Sequence, residues 1–390
     1  MDGDTAGRSH DLTRPAPSPA APTAPVWDLG VRVFHWSLVA TVATALVTGF
    51  LSPRWWLDIH VYAGTTVAAL LVFRILWGVW GSTYARFASF VVSPITALQH
   101  AFDLMRGTAA HHTGHNPVGT MMILALLAVL FALTATGTLW LGGGLKEGPL
   151  APVVSYATGS VAKDIHGWLG WGLLALIAGH ISGVIFDSLR TQENLVRAMV
   201  TGRKAVHPGA HSPLPLAAKP IRTALALAGL SAIIAPAIIL ASNQPVPGVP
   251  PPTLDPVYAK ECAACHSPHH PSLVQSAVWS QILDGLSDHF GDNASLEPDQ
   301  IAHLRTYLTA NAAQTWDTLA AVQIGPPDPT GSLRITRAPG WKAIHADVPD
   351  DRFSAKSVNG KLNCAACHAD QASGRFAARS IAFPIERTTP

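Results

Sequence analysis

Residues 163–187 read KDIHGWLGWGLLALIAGHISGVIFD, and this run decides the fold. It is apolar for the roughly 20 residues that a helix needs to cross a hydrocarbon core about 30 Å thick. His166 lies near its start and His180 fourteen residues later. On an α-helix, fourteen residues at about 100° each end within about 40° of a whole number of turns, with a rise of about 21 Å. The two imidazoles therefore share one face, one toward each membrane surface. An ionisable ring in hydrocarbon is costly without a partner, so each histidine is either hydrogen-bonded to a neighbouring helix or functional. Two on one face, flanked by Gly167, Gly170, Gly172 and Gly179, favour ligands to two stacked haems, because glycines let a flat group or another backbone come close. The opposite ligands must come from other helices.

The rest of the chain fits a membrane protein. Of 390 residues only 13% are charged, and twelve are tryptophan. The net charge of +2 gives no reason to invoke nucleic acid, but its distribution is informative. Residues 1–241 hold 15 Lys/Arg against 10 Asp/Glu, whereas residues 242–390 hold 11 against 14. A basic membrane part precedes a mildly acidic soluble part.

Residues 1–26 are rich in Pro, Ala, Ser and Thr and read as a disordered cytoplasmic tail rather than a cleaved signal. The first span is expected at Val31–Leu51, with His35 near its start, and the second at His60–Trp80, opening on His60. Trp55 and Trp56 between them suit an interfacial aromatic belt. A polar connection, Gly81–Pro117, has helical character in its middle and carries His111, His112 and His115, read as a solvated loop. The third span is expected at Val118–Leu141 and is followed by a Gly-rich loop, Gly142–Ala162. The membrane domain is thus bounded at 27–205, with a basic loop and a fifth span (Thr223–Ala241, containing Pro236) at 206–242. A Pro-rich linker covers 243–256 and the soluble domain 257–390.

Loop charges set an orientation. With the amino terminus in the cytoplasm, the inside segments carry nine Lys/Arg and the outside loops three, Arg54, Lys146 and Lys163, as the positive-inside rule requires. Five spans then place the soluble domain in the periplasm. His35 is level with His180 toward the inner surface, and His60 with His166 toward the outer one. These pairs would hold an inner and an outer haem b, each with both axial positions filled by imidazole.

All four cysteines fall in two copies of CAACH, Cys262–His266 and Cys364–His368. C-x-x-C-H is the attachment signature of c-type haem: the two cysteines bond the macrocycle, and the following histidine becomes its proximal ligand. This makes Cys262, Cys265, Cys364 and Cys367 covalent haem c sites, with His266 and His368 as proximal ligands. No methionine lies beyond Met199, so the other axial position falls to histidine, with His269, His270, His289, His303 and His345 as candidates. Bis-histidine ligation favours lower potentials than His/Met.

The runs VWDLGVRVFHW and FRILWGVWGSTYARF, followed by the H-x13-H helix, resemble the prokaryotic cytochrome b561 group over about residues 25–205. That group includes the b subunits of nickel–iron hydrogenases. The resemblance implies that His35, His60, His166 and His180 hold two haems b, and that the protein exchanges electrons with the quinone pool. VWSQILDGLSDHFGDNASL, WKAIH and NCAACHADQASGRF are similar to the small dihaem cytochrome c family over about residues 254–384. That similarity implies His289 and His345 as distal ligands, with their partners left open.

The expected fold is all-α: a transmembrane bundle of four haem-binding spans plus a fifth, then a small, mainly helical dihaem domain. The expected role is membrane-bound electron carriage in a bacterial inner membrane. Electrons would pass from quinol through two haems b and two haems c to a soluble periplasmic haem protein, as a quinol:cytochrome c oxidoreductase would do. Two alternatives stand beside it: a haem c-based terminal reductase or ligand sensor, and a b-type anchor subunit of a hydrogenase-like dehydrogenase.

Overall fold

The computed structural model describes residues 23–51, 56–110, 112–205, 216–325 and 327–384. Five helices among them are long and apolar enough to cross a membrane: α1 (Leu29–Phe50), α2 (Leu57–Trp80), α4 (Pro117–Gly143), α5 (Tyr156–Thr191) and α7 (Pro220–Ser242). Between them lie α3 (Pro94–Arg106) and the short α6 (Leu195–Thr201). Helices α1 and α2 form one antiparallel hairpin, and α4 and α5 another. The hairpins pack through Val42, Val67, Leu71, Leu130 and Leu173, all buried.

Polar groups pin the helix ends. Asp28 accepts from the Val31 amide and so caps α1. The same carboxylate accepts from Trp77 Nε1 at 3.1 Å and from Ser82 Oγ at 2.5 Å, tying the start of α1 to the end of α2. A side chain on Gly30 would collide with the Trp77 ring, 2.6 Å away. The two sequence runs that resemble cytochrome b561 thus meet here, at what we term the near end of the bundle. Ser93, Asn116 and Ser155 cap α3, α4 and α5 in the same manner, each satisfying an amide that has no partner within its helix.

Two boundaries differ from expectation. The expected disordered tail gives way at Thr23, because Thr23–Pro25 (β1) pairs antiparallel with Arg203–Ala205 (β2), and Val26 is buried beside them. Residues 1–22 lie outside the described residues, as do Trp55, His111 and residues 206–215 of the basic loop. The Gly-rich loop is shorter than 142–162: α4 runs to Gly143 and α5 starts at Tyr156, giving α5 36 residues. At about 1.5 Å per residue this is about 54 Å, longer than the bilayer core. The fifth helix, α7, leaves the near end, where the Lys219 amide donates to Trp80 O at 2.7 Å. Thr223 is its buried residue and most of its apolar surface faces outward, as suits a helix covered by lipid.

The soluble domain is built from α8 (Pro256–Glu261), α9 (Ser276–Asp284), α10 (Pro298–Ala310), α11 (Leu319–Ile324), α12 (Pro339–Ile344) and α13 (Asp350–Ser354), with short 3-10 turns between them. One core, including Tyr258, Trp279, Leu304, Leu308 and Trp341, holds them together.

Candidate functional site

Two histidines face each other at the far end of the bundle, where α1 joins α2 and α4 joins α5. His60, on α2, directs Nδ1 to Ala45 O at 3.0 Å and lies 3.1 Å from Thr48 Oγ1, both on α1. His166, on α5, directs Nδ1 to Leu133 O at 3.0 Å and lies 3.2 Å from Thr136 Oγ1, both on α4. A carbonyl can only accept, so Nδ1 carries the proton in each ring and Nε2 keeps its lone pair. The ring centres are 6.0 Å apart. A metal with two axial imidazole nitrogens at about 2 Å each requires roughly that spacing. Gly49 and Gly137 supply close approach: a Cβ there would lie 3.1 and 3.3 Å from the His60 and His166 rings. These fits are what a bis-imidazole iron needs, and the second hairpin repeats the first.

The glycines singled out from the sequence behave differently. Gly170 abuts Phe50 and Gly179 abuts Met122, whereas open space lies beside Gly167 and Gly172. The four residues that orient the His60/His166 pair were missed. A signal for them exists in the chain: Ala45–Gly49 is ALVTG and Leu133–Gly137 is LTATG, the same Thr-Gly ending at matching depths of α1 and α4.

Toward the near end stand His35 on α1 and His180 on α5. His35 Nδ1 is buried without a hydrogen-bond partner.

The soluble domain forms two further pairs. His266 and His289 stack with ring centres 6.5 Å apart and a 21° interplanar angle. His345 and His368 are 6.2 Å apart. His266 Nδ1 donates to Ser267 O, and His345 Nδ1 to Trp341 O, each at 2.8 Å. In both rings Nδ1 therefore carries the proton. Trp341 stacks on His345 at 4.3 Å. His289 sits in a tight turn closed by its own amide on Asp292 O at 2.7 Å. Phe290 (φ +61°) and Gly291 (φ +107°) occupy the positive-φ positions of that turn. A bulky residue there costs about 1–3 kcal/mol, which the turn and the Arg334 guanidinium over the Phe290 ring must offset.

The same tautomer logic sorts the remaining histidine candidates. His270 Nδ1 accepts from the Ser272 amide, and its ring also donates to the Pro251 carbonyl, so both nitrogens are used. His303 Nε2 is spent on Asp255 at 3.0 Å. His269 lies 5.1 Å from His266. Burial, with His266 and His289 beside it, pushes His269 down to about 4. Burial also lowers His289 and His368 below the ordinary histidine value, each with its facing histidine adding to the effect, which keeps them neutral as metal ligation requires. Burial pushes the Cys262 and Cys364 thiols up to about 11, and an uncharged thioether suits such a position.

The polar connection is not the solvated loop expected. His115 packs between Trp27 and Phe90, and burial, aided by Arg74 and Lys204, pushes it down to about 3. His112 meets the buried His100 at 5.2 Å. Among the described residues, no group of three or more His, Cys, Asp and Glu is placed to hold a bare metal ion.

The family profile of prokaryotic cytochrome b561 matches residues 26–202, and that of dihaem cytochrome c matches residues 258–376. A probable Ni/Fe-hydrogenase 1 B-type cytochrome subunit of Escherichia coli is 24% identical over 215 residues, 46% of this chain and 90% of that protein. A probable Ni/Fe-hydrogenase B-type cytochrome subunit of Bradyrhizobium diazoefficiens is 22% identical over 219 residues, 47% of this chain and 86% of the relative. A solved dihaem cytochrome c from Rhodobacter sphaeroides is 34% identical, with 31% of this chain and 94% of that one covered and a TM-score of 0.28.

Proposed function

Residues 26–202 form a prokaryotic cytochrome b561 domain and residues 258–376 a dihaem cytochrome c domain, and from that premise we propose that this membrane electron-transfer protein takes electrons from quinol and delivers them to a soluble periplasmic haem protein. In this reading His35/His180 and His60/His166 hold two haems b. His266/His289 and His345/His368 hold two haems c, tethered through Cys262, Cys265, Cys364 and Cys367. When bound, haem would supply reversible one-electron chemistry, and with two histidines held to each haem no position would be left open for oxygen.

The observation that carries the reading is the set of facing histidines: ring centres 6.0, 6.5 and 6.2 Å apart in three pairs. It favours carriage over a terminal reductase, which needs an open position. The chain's residues fix the imidazole tautomers, exclude water from the bundle and keep the rings neutral. A cytoplasmic amino terminus is supported by the nine-to-three distribution of Lys/Arg, and covalent haem attachment outside the bacterial inner membrane suits the same orientation.

A second reading, an anchor subunit fed by a dehydrogenase, is favoured by the description of the relatives as hydrogenase subunits. Anaerobic rapid mixing of the oxidised protein with a quinol analogue separates the two. Reduction of the b bands followed by the c bands is expected. If neither responds while a soluble donor reduces the c bands first, the quinol reading falls.

A further inference from the structure

The far end of the bundle is not bare. Lys146 lies in the α4–α5 connection with its side chain 4% exposed, and its Nζ is 2.5 Å from Asp317 of the soluble domain. Lys146 adopts a left-handed backbone (φ +55°), which a non-glycine residue takes only when its surroundings impose it. Asp317 also accepts from the Tyr156 amide at 2.9 Å, the first residue of α5. A carboxylate is favourable there, because the dipole of a long helix is positive at that end. Gln323 donates to the Tyr156 hydroxyl at 2.7 Å.

The reverse polarity operates beside it. Arg379 of the soluble domain pairs with Glu147 at 2.5 Å and reaches Asp58 at 3.5 Å. Arg375 donates to Lys146 O at 2.9 Å. Asp58 stands two residues before His60 on α2.

Arg375 and Arg379 belong to the loop that closes on His368. Ala369 donates to Ser380 O at 3.1 Å, and Ala382 to Cys367 O at 2.8 Å. The Phe376 ring lies 5.2 Å from His368. The first CAACH segment is attached to this loop from its other side: Gln371 donates to Pro268 O at 2.8 Å, and Gly374 packs against His270. Ala263, Ala264 and Cys265 of that first segment are exposed.

We propose that Asp58, Lys146 and Glu147 form an ionic clasp for Asp317, Arg375 and Arg379, and that this clasp seats the second CAACH segment, rather than the first, against the His60/His166 end of the bundle. The soluble domain is then a fixed cap rather than a tethered shuttle, and the first CAACH face is the one left for a soluble partner. The purpose of the clasp rests on the electron-transfer reading; the seating itself does not. Exposed ion pairs contribute little. A lysine as buried as Lys146, however, is strongly destabilising once its partner is removed.

The test uses the full-length, haem-loaded protein with a protease site inserted after Pro252. After cleavage, the carboxy-terminal fragment is expected to co-elute with the membrane fragment at low salt. The Arg375→Glu/Arg379→Glu variant should weaken retention by at least about tenfold, and adding Glu147→Arg should restore part of it. Loss of the wild-type fragment at low salt, or equal retention by the charge-reversed variant, overturns the clasp. Order is tested separately. A Cys364→Ser/Cys367→Ser variant that still carries one covalent haem by intact mass should lose quinol-driven reduction of its remaining c band; retention of that reduction places the first segment nearer. If wild-type c bands never respond to quinol, the functional reading fails, while the cleavage assay still judges the clasp.

Discussion

The membrane half and the soluble half hold histidine pairs by different means. In the bundle, each ligand candidate sits on a regular helix of at least 22 residues, and a neighbouring helix orients His60 and His166 through a carbonyl and a threonine. In the soluble domain the helices run from 5 to 13 residues. There the histidines sit at helix ends and turns: His345 caps α12, and His289 stands in a strained turn. Helix packing positions the first set, whereas covalent attachment must compensate for scarce core in the second. The lesson is that one chain can build the same ligand geometry from periodicity or from local turns.

The largest test of this contrast removes the covalent tether. Cys364→Ala/Cys367→Ala should lose one covalently bound haem entirely, seen as one haem less in the intact mass, while both haems b remain. If the bundle pairs depend on packing alone, His60→Ala or His166→Ala should lose one haem b and keep both haems c in a haemochrome assay; retention of two haems b would break the pairing. Thr136→Val removes a group beside the His166 ring without touching the metal position. Outer-shell changes of this kind cost about 10–100-fold in affinity, so haem b retention should fall by about tenfold at the outer site, with the soluble domain unaffected.

The smallest effect concerns Asp255, which caps α8 and pairs with His303. Burial pushes its carboxyl up, but the Tyr258 amide and His303 outweigh this and hold it below its ordinary value of 3.8. A depressed carboxyl stabilises the fold above its unfolded pKa, and that stability is lost as pH falls through the folded value. Asp255→Asn keeps a capping oxygen and removes the charge. It should cost no more than about 1 kcal/mol near neutral pH and flatten the acid limb below about pH 4 in thermal melts, whereas the bundle should show no change.

Legibility followed the same division. Spans and the four bundle histidines were readable because a helix repeats every 3.6 residues and hydrocarbon demands an apolar run. The CAACH motifs were readable because the attachment chemistry acts on adjacent residues. The partner of each distal histidine was not, since His289 and His345 come close to His266 and His368 only after the core around Leu304 and Trp341 has folded. Nor was the burial of His115, whose neighbours Trp27 and Phe90 lie far away in sequence.

By itself the sequence determined an all-α membrane bundle with an attached dihaem domain, and it named the histidines worth weighing. Only the tertiary structure decided at which rings Nδ1 donates to a backbone carbonyl. That choice separates His60, His166, His266 and His345 from His270 and His303. The physical reason is that a tautomer is set by the hydrogen-bond partner of the other nitrogen, and that partner is supplied by folded neighbours as much as by adjacent residues.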